Sequence, residues 1–129
     1  MAITYTSCNG TNLSLGLSEP TTTVTGTTYT VSVDVYLKHY SISYSAANYN
    51  FTVQLGNSSV TVNGIKLSQT SNTLTETKIG TATFSSVSPG NYTIQVTLNS
   101  SGNTYNGKKV GGSTHSRSLT LATLYTACT

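Results

Sequence analysis

The sequence predicts an all-β fold: one antiparallel β-sandwich of immunoglobulin-like outline, with about seven to nine strands. Three observations carry this. Apolar residues recur at every second position in short runs, the period of a half-buried strand. No long stretch repeats at the helical period, and the density of Thr and Val disfavours helix through lost χ1 freedom. Turn signals separate the runs at short intervals, as a sandwich requires.

The elements follow in order. "TNLSLGL" places Leu13, Leu15 and Leu17 on one parity. A loop is expected from Ser18 to Gly26, where Pro20 and Gly26 bracket a run of threonines. "TTYTVSVDVYL" is the clearest strand: Tyr29, Val31, Val33, Val35 and Leu37 face one way, and Thr28, Thr30, Ser32, Asp34 and Tyr36 the other. "YNFTVQL" repeats the pattern through Tyr49, Phe51, Val53 and Leu55. In "VTVNGIKL", Asn63 and Gly64 are the pair that a type I′ turn demands, so a tight hairpin is expected from Val60 to Leu67.

A second loop is expected from Ser68 to Thr77. Pro89 and Gly90 then form a turn, which would pair "GTATF" with "NYTIQVTL" as an antiparallel hairpin burying Tyr92, Ile94, Val96 and Leu98. A third loop, rich in Gly, Asn and Lys, spans Asn99 to Ser116. The closing run "RSLTLATLY" carries Leu119 and Leu121 on one parity and Leu124 on the other, which suggests a bulge or bend.

Composition bounds the function. At 129 residues the chain is a single domain, large enough to bury one core without metals or several disulfides. It holds 26 Thr, 19 Ser and 9 Tyr but only six basic and three acidic side chains, a balance of outer surfaces rather than of cytoplasmic enzymes. Six scattered cations make no footprint for nucleic acid. No apolar run approaches the length of a membrane-spanning helix, so no membrane insertion is expected. The opening "MAITYTSCNG" lacks the basic segment and apolar core of a signal peptide. Six Asn-x-Ser/Thr triplets reflect the abundance of Ser and Thr rather than glycosylation.

Catalytic chemistry is sparse. The acids are Glu19, Asp34 and Glu76, on distant segments, and no Gly-x-Ser-x-Gly elbow occurs. His39 and His115 read as exposed polar residues. No Cys/His spacing fits zinc and no acidic loop fits calcium, so no cofactor and no metal is expected. Cys8 and Cys128 sit at the two extremes. Side-by-side first and last strands would let them form a disulfide that staples the termini; a reducing cytoplasm would keep them as thiols.

Two features suggest contact. "YLKHYSISYSAANY" gathers Tyr36, Tyr40, Tyr44 and Tyr49, and Tyr with Ser is the vocabulary of binding surfaces. It reads either as a contact face for a sugar or a neighbouring copy, or as tyrosines that simply cover a sheet. "NTYNGKKVGGSTHSR" adds Lys108, Lys109 and Arg117 on a loop that could meet an anionic partner or stand as a solvated hairpin tip.

The order "MAITYTSCNGTNLSLGL", "TTYTVSVDVYLKHYSISYS", "SVTVNGIKL", "GTATFSSVSPGNYTIQVTL", "SRSLTLATLYT" resembles the N-terminal β-sandwich domain of minor structural proteins of siphophages, which sit at the tail tip or on fibres and include receptor-binding components. The resemblance spans nearly the whole chain through strand order and turn placement. Those proteins are usually longer, and their closing strand runs into a Pro and Arg segment that "LTLATLYTACT" lacks. The resemblance implies a non-enzymatic virion component of a tailed phage, in the tail, tail tip or head decoration. Its partners would be copies of itself or other virion proteins, and it would be made in the host cytoplasm and released by lysis. The alternative expectation is an adhesin-type module that binds a host cell-surface glycan.

Overall fold

The computed structural model describes residues 3–8, 13–39, 50–63, 74–99, 104–105, 108–109 and 111–124. They form β1 (Thr4–Ser7), β2 (Ser14–Leu17), β3 (Thr21–Thr25), β4 (Thr28–His39), β5 (Phe51–Leu55), β6 (Ser58–Val62), β7 (Thr75–Val87), β8 (Gly90–Leu98), β9 (Thr104–Tyr105), β10 (Lys108–Lys109) and β11 (Thr114–Leu121). Nine of these build two antiparallel sheets, and β9 pairs only with β10. The all-β sandwich expected from the sequence is the fold.

The first sheet is organised by β4. On one side it pairs with β7 along its whole length. On the other, β2 covers its C-terminal half and β3 its N-terminal half, while β1 lies outside β2. The second sheet has the order β11-β8-β5-β6. The chain crosses between the sheets from β7 to β8.

β2 and β3 act as one strand broken by a bulge. Between the pairs Leu17↔Val35 and Thr21↔Ser32, Ser18 to Pro20 oppose only Val33 and Asp34. Pro20 has no N–H to offer the ladder. Buried Ser18 restores the pairing: its N–H donates to the Asp34 carbonyl at 3.0 Å, and its Oγ accepts the Asp34 N–H at 2.9 Å.

The expected alternations are seen. Leu13, Leu15 and Leu17, Tyr29 through Leu37, Phe51, Val53 and Leu55, and Ile94, Val96 and Leu98 are all buried in one core between the sheets. β7 adds Ile79, Ala82, Phe84 and Val87, spaced unevenly because its register against β4 shifts twice. Each shift is a bulge that flips parity, and Ser86 takes φ +57° at the second.

The seams where the two sheets meet differ. At the β6–β7 seam a Cβ on Gly80 would lie 2.7 Å from Val62 Cγ1, so the missing side chain lets β6 approach. The β1–β11 seam is polar. Thr4 Oγ1 meets His115 Nε2 at 2.7 Å, and Thr6 Oγ1 meets His115 Nδ1 at 2.6 Å. Tyr29 also ties the sheets together, its hydroxyl donating to the Ala122 carbonyl at 2.8 Å.

Several sequence expectations need correction. The Ser18–Gly26 loop contains β3, whose residues are all exposed and therefore show no alternation. Pro89–Gly90 does not close a hairpin: β7 pairs with β4, and β8 pairs with β5 and β11, so the segment is a corner between sheets. The hairpin next to β5 turns at Gly56–Asn57, with Leu55 opposite Ser58 and Gly56 at φ +58°, the glycine-first pattern of a type II′ turn. The Asn63–Gly64 turn lies outside the described residues beyond Asn63. β7 begins at Thr75 and β11 at Thr114, inside the second and third expected loops. β11 pairs with β8 without a register shift, and the change of parity at Leu124 falls after the strand has ended.

Candidate functional site

The outer face of the first sheet collects side chains that the sequence separates. Cross-strand pairing aligns Tyr5, Gly16, Tyr36 and Lys78 in one row, and Ser7, Ser14, Lys38 and Glu76 in the next. Four of the chain's nine charged side chains (Asp34, Lys38, Glu76 and Lys78) thus share a face that is otherwise mostly Thr and Ser.

Tyr5 is the centre of this group. Its ring lies over Gly16, where a Cβ would stand 2.5 Å from both Cδ1 and Cε1. Its hydroxyl donates to Glu76 Oε2. Lys38 Nζ sits 4.6 Å from its ring centroid, a cation–π contact. Burial, then the Glu76 hydrogen bond, then the charge of Glu76 and the presence of Tyr36 push the Tyr5 phenol well above its ordinary pKa. The phenol is therefore a fixed donor across the physiological range. Beside it, Thr81 Oγ1 donates to Asp34 Oδ1 at 2.6 Å and Lys78 Nζ lies 3.6 Å from the same oxygen. That ion pair is half exposed and contributes little energy; it fixes the charge pattern of the face.

Tyr36 is where the sequence reading placed it, half-buried on this face next to Tyr5. Tyr40, Tyr44 and Tyr49 lie outside the described residues. Lys108 and Lys109 form β10, of which only the backbone is described. At the adjoining ends of β5 and β8, Phe51 opposes Leu98, and the Asn99 N–H donates to the Asn50 carbonyl at 2.8 Å. Arg117 belongs to β11 rather than to a loop. It is half-buried, and its Nη1 donates to the Leu17 carbonyl at 3.1 Å, across the seam.

Both histidines are buried, against the expectation of exposed polar residues: His39 is 1% and His115 6% exposed. Each continues the inward parity of its strand. His39 Nε2 meets Thr77 Oγ1 at 2.9 Å. Burial, and next the Arg117 charge, hold the His115 imidazole below its ordinary pKa. Cys8 is buried, and that burial pushes its thiol pKa up; Cys128, its candidate partner, lies outside the described residues. Among the described residues no three of His, Cys, Asp or Glu gather as a metal site would need, and no helix is long and apolar enough to cross a membrane.

The sequence reading did not single out β3. It covers only the N-terminal half of β4, while β1 and β2 lie along the C-terminal half, so its outer edge has no strand partner among the described residues. All five residues, "TTTVT", are exposed, Val24 to 54%. Neither charge nor proline interrupts them, the devices that usually blunt an edge.

Fold and surface together define a small antiparallel sandwich domain with a tyrosine-centred outer face and a β3 edge that has no strand partner among the described residues. In comparisons with protein-family models, curated proteins and solved structures, no match to this chain was found.

Proposed function

We propose that the chain is a non-enzymatic structural component of a tailed-phage virion, in the tail, tail tip or head decoration, acting by self-association or by docking onto the particle. The observation that carries the reading is the edge of β3, which has no strand partner among the described residues. An exposed edge strand offers a row of N–H and C=O groups to another chain, and a domain that works alone normally blocks it. A subunit that adds itself to neighbours uses it. The mostly uncharged Thr and Ser around β3 present little repulsion to an identical copy. The virion setting rests on the resemblance in strand order to siphophage minor structural proteins.

The test compares the full-length chain with Val24→Lys, which places a charge on the open edge without touching the core. Light scattering on a sizing column and negative-stain images should show rings, tubes or a defined oligomer for the parent. The variant should be a monomer with an unchanged thermal midpoint. A parent that stays monomeric, or a variant that assembles as the parent does, would overturn the proposal.

A further inference from the structure

At the pole of the sandwich that carries the β5–β6 turn and the β7–β8 corner lies a hollow of about 230 Å³. Buried Leu55 and Val87 are among its lining residues. Asn57, Ser58, Ser85, Ser86 and Ser88 also line it. Tyr92 completes the wall. None of these lining side chains is a carboxylate, an ammonium, a guanidinium or an imidazole.

The wall is held rigidly. Tyr92 is wedged between two glycine backbones: a Cβ on Gly56 would lie 3.3 Å from its Cε1, and one on Gly90 would lie 3.7 Å from its Cε2. Its hydroxyl donates to the Ser88 carbonyl at 2.8 Å, which fixes the corner. Gly56 and Gly90 both have positive φ, at 58° and 151°, so each glycine serves the backbone path as well as the ring.

Ser86 is the informative residue. The bulge needs positive φ there, and glycine or asparagine meets that need at lower cost than serine. The bulge explains the conformation and leaves the hydroxyl unexplained. Ser86 lines the hollow together with Ser58, Ser85 and Ser88. A strained residue that lines a cavity points to a role for its side chain.

We propose that this hollow binds a neutral hexopyranose unit. Its volume equals roughly seven or eight waters at about 30 Å³ each, the room needed by one sugar ring with its hydroxyls. Short hydroxyls and an amide can both donate and accept, matching a ligand whose own groups do the same. Leu55, Val87 and the Tyr92 ring offer apolar surface for the C–H face of the ring. A phosphate or carboxylate finds no cation among the lining residues, and an apolar ligand would leave the polar lining unpaired. The inference does not depend on the virion reading, since the hollow and the β3 edge are separate features.

The test is an amide NMR titration of the full-length protein with the methyl glycosides of glucose, galactose and N-acetylglucosamine. The expected result is saturable shifts confined to residues 55–58, 85–88 and 92, with a Kd of about 1 mM, as suits a single small polar ligand. Ser86→Gly should raise the thermal midpoint, because it relieves the positive φ, yet weaken binding about fivefold or more through loss of the hydroxyl. Asn57→Ala, at an exposed position, should weaken it with the midpoint unchanged. No saturable shift with any of the three sugars would overturn the proposal. Shifts that map elsewhere, or binding that survives both substitutions, would do the same.

Discussion

Gly16→Ala tests the outer face most sharply, because the structure specifies what the added methyl meets. The new Cβ would stand 2.5 Å from two carbons of the Tyr5 ring and 3.0 Å from the Thr4 carbonyl oxygen. Carbon atoms in contact sit about 3.5–4.0 Å apart, so the ring must move by about 1 Å or more. It then loses its place under Lys38 and its hydrogen bond to Glu76. Overpacking of this kind costs about 1–3 kcal/mol and an exposed cation–π contact about 0.5–1 kcal/mol, with some of this relieved because Tyr5 is only half-buried. A net loss of about 2 kcal/mol is expected, or roughly 6–12 °C in the midpoint for a domain of this size. Thermal and urea unfolding of Gly16→Ala, Tyr5→Ala and the double variant would measure it. If the loss acts through the ring, adding Gly16→Ala to the Tyr5→Ala background should cost under about 0.5 kcal/mol. An undiminished cost in that background, or a neutral single variant, would refute the packing argument.

Other consequences follow from single residues. The folded state holds His115 below its ordinary pKa of about 6.5, so the unfolded chain binds more protons just below that value. This residue's contribution is therefore intact above pH 6.5 and declines as pH falls below it; urea midpoints from pH 7.5 to 5 should fall less steeply in His115→Gln. Ser18→Ala removes the acceptor of the Asp34 N–H at the β2–β3 break. It should cost about 1–3 kcal/mol in urea unfolding, with the loss of amide protection centred on Asp34. If the tyrosine run after β4 takes part in assembly, Tyr40→Ser and Tyr44→Ser should lower the assembled fraction in sedimentation without changing the unfolding midpoint.

Much of the fold is legible in the sequence because most strands bury one face, and burial writes itself as alternation. Leu13 to Leu17 and Tyr29 to Leu37 announce both the strand and the side turned inward. β3 escapes that test, since a strand with every residue exposed has no apolar parity; only its β-branched composition marks it. Pro89–Gly90 shows another limit. Turn chemistry fixes a reversal of the chain but not which sheet receives the next strand, and here β8 crosses to the opposite one. The burial of His39 is present in the sequence as the inward parity of β4 extended by one more step. Tyr5 gives no local signal of its place, because its neighbours Gly16 and Glu76 arrive only through the pairing of β1, β2, β4 and β7.

If β3 joins neighbouring copies, hydrogen–deuterium exchange at two protein concentrations will register it at that strand. Samples below and above the assembly threshold would be labelled side by side and the exchange of Thr21–Thr25 followed. Slow exchange there is expected at high concentration and fast exchange in the dilute chain, with β4 and β8 protected in both. If assembly leaves Thr21–Thr25 unchanged while another surface gains protection, β3 is not the joint.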